Sequence, residues 1–361
     1  MVEKSEKTER NCESSLSYDR ARTLVEWARG RGRILIVTHD NPDPDSIAAA
    51  VALRHLFLVQ TGQDATVAFG GIIGRGENRS MVAELEIFLV PISTLDLDQF
   101  DVVCMVDTQP GTGNNSYPTD RRVDLVIDHH APRNELQQVT WVDVRQEYGA
   151  AATILYEYLC CLNISINTRL ATSLFYAIKS ETQDLGREWS KADRSAYLKL
   201  LPLSNNRTLF RITHPQVPGS YFAVFNRAIE NARIYGSVLI FNLYRIDNPD
   251  LVAELADFML RREGVDHVMG MGWYDGGEIF SLRTRDPEVM LGRVVRTILH
   301  DLGTSGGHGM TAGGQVRPMA ADEGAQHDLE QLVTRRYLKA LGLKPTPGQA
   351  LVSGESDGSP R

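Results

Sequence analysis

The sequence predicts an α/β fold: a doubly wound domain with a mainly parallel sheet, then a smaller α/β C-terminal domain, with the active site in the cleft between them. The first observation is a set of short, mainly apolar runs, at 34–37, 102–106 and 123–127, that alternate with segments of helical spacing. Such runs are typical of parallel strands buried on both faces. The second is the length of 361 residues, which suits two domains better than one core. The third is a fresh series of strand and helix patterns beyond residue 215.

In the first half, strand and helix patterns alternate as a doubly wound sheet requires. The helix at 18–29 ends at Gly30 and Gly32, which are favourable C-cap residues, and Asp45 or Ser46 is a suitable N-cap for the next helix. The predicted elements are helix 18–29, strand 33–37, helix 46–60, strand 65–69, flexible loop 70–80, strands 102–106 and 123–127, helices 149–162 and 168–179, and bridging helical segments at 191–206.

The second half starts after a proline- and glycine-containing boundary, so we expect a catalytic domain at 17–214 and a substrate-binding domain at 215–343. Residues 1–16 and 344–361 are expected to be disordered tails. The predicted elements are strand 232–244, helix 248–263, strands 265–273 and 278–283 joined by a hairpin turn, helix 289–301 and a glycine-rich loop at 303–314.

Composition excludes several classes of partner. The net charge of -8 argues against binding of long duplex DNA, although it allows a short anionic substrate. No apolar run approaches the roughly 20 residues needed to span a bilayer. Residues 1–14 are polar and charged, without the apolar segment of a secretory signal. We therefore expect a cytoplasmic protein that does not bind membranes.

Metal-ligand residue types follow each of the three apolar runs. His39, Asp43 and Asp45 follow the first, Asp107 ends the second, and Asp128-His129-His130 ends the third. Ligands of open α/β sheets bind beyond the carboxyl ends of the strands, so these side chains should meet at one edge. Each Asp alone would be a turn or cap residue, but together they predict a metal site. Carboxylate and imidazole ligands without thiolate fit Mn²⁺ or Mg²⁺, and their number fits two ions roughly 3.5–4 Å apart.

These three motifs together resemble those of the DHH phosphoesterase superfamily, which is RecJ-like and has a DHH-associated C-terminal domain. The length and two-domain plan are most similar to its nanoRNase/pAp-phosphatase branch. The family's fourth motif commonly provides an Asp, and Glu181 stands at that position here. The neighbouring Thr182 matches the motif, which favours Glu181 over the alternative ligand Asp184. A helix-end carboxylate without a metal is the remaining interpretation.

The resemblance implies two Mn²⁺ ions, with Mg²⁺ or Co²⁺ as alternatives. The implied ligands are His39, Asp43 and Asp107 for one ion, and Asp45, Asp107, His129 and Glu181 for the other. Asp107 would bridge the ions, and Asp128 would orient a ligating histidine. His130 would point at the scissile phosphate, where an imidazolium donates a proton or neutralises charge. Asp107, Asp128 and His130 are thus the expected catalytic residues.

Substrate contacts are expected mainly from the second domain. Its glycine-rich segment resembles the substrate motif of the DHH-associated domain, since glycines allow close backbone approach and free N–H groups bind anions. Arg283 is a candidate phosphate or base-stacking partner, with a solvated strand-end arginine as the alternative. The loop at 70–80 either contacts phosphate or merely connects two elements. The expected substrate-binding residues are Gly306, Gly307, His308, Gly313, Gly314, Arg283 and Arg79.

The resemblance implies a phosphoric ester hydrolase that works by two-metal hydroxide attack on phosphorus. The implied substrates are short oligonucleotides or dinucleotides, and 3′-phosphoadenosine 5′-phosphate. Two alternatives stay open: an exopolyphosphatase or pyrophosphatase with the same metals, and a non-catalytic nucleotide-binding protein, which only the departure at Glu181 supports. The sequence determines neither the physiological substrate nor the oligomeric state, for which a homodimer is one alternative.

Overall fold

The computed structural model describes residues 15–317, 322–344 and 346–352. The chain divides into two compact units, Met1–Pro215 and Gln216–Arg361, and each unit has its own sheet. Among the described residues, no helix has the length and apolar character needed to cross a membrane.

The first unit is built on a parallel sheet. Its strands are β1 (Ile34–Val37), β2 (Ala65–Phe69), β3 (Val90–Pro91), β4 (Val102–Val106), β5 (Leu125–Asp128) and β6 (Trp141–Val144). The strand order is β3-β2-β1-β4-β5-β6, and every neighbouring pair is parallel. This is the order of a doubly wound sheet, in which the chain changes direction between β1 and β4. Together with the helices described next, it confirms the predicted α/β class.

The helices of the first unit are α1 (Ser15–Ala28), α2 (Pro44–Thr61), α3 (Gly76–Glu84), α4 (Ala151–Cys161), α5 (Thr168–Glu181), α6 (Lys191–Leu200) and α7 (Asn206–Thr213). Four of them, α2, α5, α6 and α7, begin at a residue whose side chain accepts a terminal backbone N–H. Helix α2 begins where Asp43 accepts the N–H of Ser46 at 3.0 Å, and it ends at Gly62, whose φ of 73° is left-handed. Asn167 caps α5 in the same way, through the N–H of Leu170.

The two faces of this sheet are covered differently. On one face, residues such as Ile34 and Ile36 join α1, α2, α4 and α5 in one large apolar core. On the other face, Leu35 and Val37 pack with loop residues such as Tyr117. Short 3₁₀ turns at Ile92–Thr94, Leu97–Gln99 and Asn134–Gln138 accompany those loops. Because both faces are covered, the strands are mainly apolar, which explains the apolar runs in the sequence.

The second unit has a mixed sheet between two helical layers. Its elements are α8 (Gly219–Asn231), β7 (Arg233–Tyr235), β8 (Val238–Arg245), α9 (Asp250–Met259), β9 (His267–Tyr274), β10 (Gly277–Thr284), α10 (Leu291–Ile298), β11 (Thr304–His308), β12 (Thr311–Val316), α11 (Glu323–Ala340) and β13 (Gln349–Ala350). The strand order is β11-β12-β10-β9-β8-β7-β13, and among the described strands of this second sheet only β8 and β9 pair in parallel. Helices α10 and α11 cover one face, and α8 and α9 cover the other.

Several predictions about individual elements were wrong. The loop expected at 70–80 contains the first turn of α3, and the single strand expected at 232–244 is two strands divided by a turn at Gly236, whose φ is 63°. The glycine-rich loop expected at 303–314 is the hairpin of β11 and β12. Two of its glycines allow this pairing, because a Cβ on Gly307 or Gly314 would lie 2.5 Å or less from Ala312 or Leu299.

The expected disordered tails need a similar correction. Helix α1 starts at Ser15, two residues inside the segment predicted to be disordered. In the C-terminal segment, β13 pairs with β7, where it satisfies backbone groups of an edge strand. Residues 1–14, 345 and 353–361 lie outside the described residues, so disorder there stays a prediction.

Candidate metal centre

The carboxyl ends of β1, β4 and β5 lie side by side, because these strands are neighbours in a parallel sheet. The loop after β1 carries His39, Asp107 directly follows β4, and Asp128 is the last residue of β5. The change of direction between β1 and β4 leaves a crevice at this edge, which is where doubly wound sheets bind ligands.

The first cluster consists of His39, Asp43 and Asp107, each of which offers a ligand atom within 4.8 Å of the others. The Nε2 atom of His39 lies 3.6 Å from Asp43 Oδ1 and 3.6 Å from Asp107 Oδ2. On the other side of the ring, Nδ1 donates to the backbone carbonyl of Asp40 at 2.9 Å. A carbonyl only accepts, so this bond places the proton on Nδ1 and turns the lone pair of Nε2 towards the carboxylates.

The second cluster consists of Asp107, His129 and His130, so Asp107 belongs to both. His129 Nε2 lies 3.4 Å from Asp107 Oδ1 and 3.7 Å from Asp45 Oδ2. Its Nδ1 contacts the carbonyl of Tyr148 at 3.1 Å, which fixes the same tautomer as in His39. The resemblance assigned Asp45 and Glu181 to this ion, whereas the tighter geometric group contains His130.

Asp45 also has a structural role that the sequence did not show. Its two carboxylate oxygens accept the N–H groups of Ala151 at 2.7 Å and Ala152 at 2.8 Å, at the start of α4. The carboxylate therefore caps a helix more than one hundred residues away in sequence. It remains within 3.7 Å of His129 Nε2, so capping and metal binding are geometrically compatible.

Two buried atoms at the centre of the site have no hydrogen-bond partner among the residues that the structure describes. They are Asp107 Oδ1 and His129 Nε2, and the two atoms face each other at 3.4 Å. Buried polar atoms are almost always paired, and an acceptor oxygen facing the lone pair of a neutral imidazole is repulsive. A cation that binds both atoms removes the repulsion. The residues present therefore fit a divalent metal centre.

The backbone at Asp107 is held in an unusual conformation. Its φ is 58°, in the left-handed region that non-glycine residues seldom adopt. The N–H of Asp107 donates to Ile127 of the neighbouring strand at 3.0 Å, which holds the residue at the sheet edge. Strained residues of this kind persist where the surrounding structure fixes them, and they concentrate at functional sites.

The pKa values of the side chains at the site reflect an excess of negative charge. Burial alone would lower the pKa of both His39 and His129, but the nearby carboxylates, with Asp107 foremost, together outweigh it and raise both pKa values well above the usual range. Burial raises the pKa of Glu181 to about 7, and the charges of Asp43 and Asp107 add to the effect. Without cations, protons are thus retained on groups that would otherwise lose them.

Asp128 and His130 form a pair beside the second cluster. His130 Nδ1 lies 2.8 Å from Asp128 Oδ1, which also accepts the backbone N–H of His129 at 2.7 Å. Burial lowers the pKa of His130, but the bond to Asp128 and the charges of Asp107 and Asp128 together outweigh it, so the pKa is raised. The side chain of His130 is 37% exposed, whereas that of Asp128 is 1% exposed. His130 therefore presents the rest of its ring to the outside of the site.

Two positioning groups were missed in the sequence. Gln109, which is fully buried, donates to Asp128 Oδ2 at 2.6 Å, while its Oε1 accepts the N–H of Arg133 at 2.9 Å. The carbonyl of Tyr148 orients His129, as described above. Gln109 could have been noticed, because it lies two residues beyond Asp107 at the same strand end. No side-chain pattern identifies a backbone carbonyl.

The two candidate ligands of the fourth motif have different surroundings. Glu181 is the last residue of α5, is partly buried, and interacts with the charges of the cluster. The next residues, 183–185, all have positive φ, so the chain leaves the helical path. Asp184 is exposed, lies 2.5 Å from Lys179 Nζ and accepts the hydroxyl of Tyr197 at 3.0 Å. The structure brings Glu181, and not Asp184, to the cluster.

Two arginines were predicted to contact the substrate, one in each unit of the chain. Arg79 is exposed on α3 and bonds the carbonyl of Gly74. Arg283 is 8% exposed and its Nε lies 2.6 Å from Asp257 Oδ1, which argues against the predicted contact with a phosphate or a base. A buried guanidinium needs a carboxylate, and Asp257 provides it.

The glycine-rich hairpin carries the remaining predicted contacts. A Cβ on Gly313 would lie 3.2 Å from the carbonyl of Phe280, whereas Gly306 has open space around its Cα. The backbone of His308 ends β11, and its side chain lies outside the part that the structure describes. Its contact with phosphate stays a prediction.

Residues 33–178 match the model of the DHH family, N-terminal domain. This segment is a DHH-family domain. The match confirms the predicted superfamily, and it spans the strands that carry His39, Asp107 and Asp128. The nanoRNase branch is not resolved by it.

The chain is also similar to two other proteins. An uncharacterized protein of Methanocaldococcus jannaschii is 34% identical over 319 residues, which are 86% of this chain and 64% of that protein. The chain thus spans less than two thirds of that relative. The crystal structure of an exopolyphosphatase-related protein from Bacteroides fragilis is 15% identical and covers 91% of this chain and 98% of its own, with a TM-score of 0.70. This likeness shows a shared fold.

Proposed function

We propose that this chain is a divalent-metal-dependent phosphoric ester hydrolase that acts on short oligonucleotides or dinucleotides, or on 3′-phosphoadenosine 5′-phosphate. The observation that carries the proposal is the shared carboxylate of Asp107. It belongs to two ligand clusters, and its Oδ1 is buried opposite His129 Nε2 with no hydrogen-bond partner in the described part of the chain. Two adjacent cation positions around one bridging carboxylate are typical of enzymes that hydrolyse phosphate esters.

The donor set favours Mn²⁺, with Mg²⁺ or Co²⁺ as substitutes, because it combines carboxylates with imidazoles and contains no thiolate. The residues that would hold one ion are His39, Asp43 and Asp107, and those that would hold the other are Asp107, His129, Asp45 and Glu181. When bound, the ions would supply Lewis acidity towards the phosphoryl oxygens.

His130 is placed to supply a proton. Asp128 accepts from its Nδ1 and stabilises the imidazolium, which raises the pKa of His130. The Nε2–H then belongs to the more exposed part of the ring. From there it neutralises charge on a phosphate, or donates to the oxygen of the leaving group.

The substrate class follows from charge and size. A net charge of -8 repels a long polyanion, whereas a short substrate has to meet only the local field of the cations. Exopolyphosphatase activity is the competing proposal. It requires no recognition of a nucleobase, so dependence of turnover on the base separates the two.

The test is a substrate panel with a matched pair of variants. The purified chain with Mn²⁺ is assayed on dinucleotides, 3′-phosphoadenosine 5′-phosphate, cyclic dinucleotides and polyphosphate, and chelation should abolish turnover. Asp107→Asn should lower activity by at least about a hundredfold. Asp184→Asn, the same chemical change outside the cluster, should leave activity unchanged. Metal-independent turnover, or full activity of Asp107→Asn, would contradict the proposal. Turnover of polyphosphate but of no nucleotide would show that the substrate is polyphosphate.

A further inference from the structure

The second unit contains a pocket lined by basic residues. None of these residues is among those of the metal centre or the predicted substrate contacts. The pocket has a volume of about 530 Å³, and its lining is Arg293, Arg296, Thr297, His300 and Arg336. The first three residues lie on α10, His300 follows that helix, and Arg336 lies on α11. Volumes of 300–1,000 Å³ are usual for small-molecule sites.

The position of the pocket follows from how α10 and α11 pack. Val295 and Ile298 of α10 share an apolar core with Val333 and Tyr337 of α11, so both helices are fixed to the same face of the sheet. The outer sides of the helices then carry the arginines. The pocket is therefore lined by regular elements with a packed core beneath them.

Arg336 is held ready for a ligand. Its NH1 donates to the carbonyls of Ile298 at 2.9 Å and His300 at 3.0 Å, which end α10. These bonds fix the plane of a half-buried guanidinium and leave its Nε and NH2 for other acceptors. Less side-chain entropy is then lost when an anion binds.

Counter-charges are scarce at the pocket. Within the described part of the chain, no carboxylate forms an ion pair with Arg293, Arg296 or Arg336. Asp301 lies 2.5 Å from His300 Nδ1 and balances only that residue. In a chain with a net charge of -8, three unpaired guanidinium groups around one pocket make a strong local positive field.

We propose that this pocket binds an anion with consecutive phosphate groups, such as a short polyphosphate chain or the phosphates of a nucleoside triphosphate. Guanidinium groups bind phosphate oxygens in pairs, and the Thr297 hydroxyl adds a donor. Among the described residues, the lining has no Phe, Tyr or Trp side chain on which a base could stack, so the phosphates rather than a base would be recognised. The site is independent of the metal centre and of the function proposed for it.

The test measures binding of sodium tripolyphosphate to the metal-free full-length chain by isothermal titration calorimetry. Wild type should bind one equivalent saturably. The double variant Arg293→Gln, Arg296→Gln should bind at least about tenfold more weakly. Arg335→Gln with Lys339→Gln is the matched control, because these exposed residues of α11 carry the same charge but do not line the pocket. Thermal unfolding of each variant checks the fold.

If the two double variants lose affinity for tripolyphosphate equally, the binding is general electrostatic attraction and the proposal is wrong. The proposal is also wrong if wild type does not bind tripolyphosphate or does not reach saturation. A titration with ATP shows whether the ligand is an inorganic polyphosphate or a nucleoside triphosphate. Equal affinities for ATP and tripolyphosphate indicate that the phosphates alone are recognised, whereas tighter binding of ATP identifies a nucleotide as the ligand. A dinucleotide with a single phosphodiester that binds as tightly as tripolyphosphate would refute the requirement for consecutive phosphates.

Discussion

Glu181→Gln is expected to stabilise the metal-free protein and at the same time to weaken metal binding. In the cation-free site, burial and the charges of Asp43 and Asp107 raise the pKa of Glu181 from 4.5 to about 7. A shift of this size corresponds to an upper limit of about 3 kcal/mol of unfavourable interaction of the charged form, reduced by the partial exposure of the side chain. The neutral amide removes that repulsion above pH 7.

The same substitution removes one negative charge from the ligands of a cation. Unit charges separated by about 4 Å at the effective dielectric of a protein surface interact with about 4 kcal/mol, so a loss of about a hundredfold in Mn²⁺ affinity is a conservative expectation. Glu181→Asp should be tolerated, because it retains the charge.

Asp184→Asn is the matched control. Its carboxylate is exposed and paired with Lys179, and such pairs contribute at most about 1 kcal/mol. Thermal unfolding in chelator gives the stability of the metal-free protein, and calorimetric titration with MnCl₂ gives the affinity. If Asp184→Asn weakens Mn²⁺ binding while Glu181→Gln leaves it unchanged, the assignment of the fourth ligand is wrong by three residues.

Three further outcomes are expected. Gln109→Leu leaves the buried Asp128 Oδ2 without its 2.6 Å donor, so the free energy of unfolding in urea should fall by about 2–3 kcal/mol. The value of kcat should fall more than KM rises. An unchanged free energy of unfolding would contradict the positioning role. Burial, with a smaller contribution from Glu330, raises the pKa of Glu278 from 4.5 to about 8, so the folded state retains a proton that the unfolded state releases, and stability falls as pH rises through this interval. Glu278→Gln should therefore be about 1–3 kcal/mol more stable than wild type at pH 8 and nearly equal to it at pH 4, which two urea titrations can check. His308→Ala should raise KM with a normal Mn²⁺ titration, and unchanged kinetics would exclude the hairpin from substrate binding.

The sequence alone predicted the parallel sheet and the edge at which its ligands meet. Strands buried on both faces must be apolar throughout, so Ile34–Val37, Val102–Val106 and the run before Asp128 were recognisable from composition. The carboxyl ends of parallel strands share one edge, so the nearness of His39, Asp107 and His129 followed from topology without any distance. The positions of the strands and of their shared edge depend on regular backbone geometry, which the local hydrophobic pattern is sufficient to predict.

Only the tertiary structure decided which partner each polar side chain has. Asp45 caps α4, Gln109 holds Asp128, and Arg283 is neutralised by Asp257, all through contacts between residues far apart in sequence. The hairpin of β11 and β12 was missed for the same reason, since its glycines allow close pairing that no local pattern specifies. The arginines of the basic pocket likewise come from two helices that meet only in the folded unit. Local spacing determines the backbone period, whereas the pairing of buried charges depends on which elements pack together, because a charge removed from water is stable only beside the partner that the fold provides.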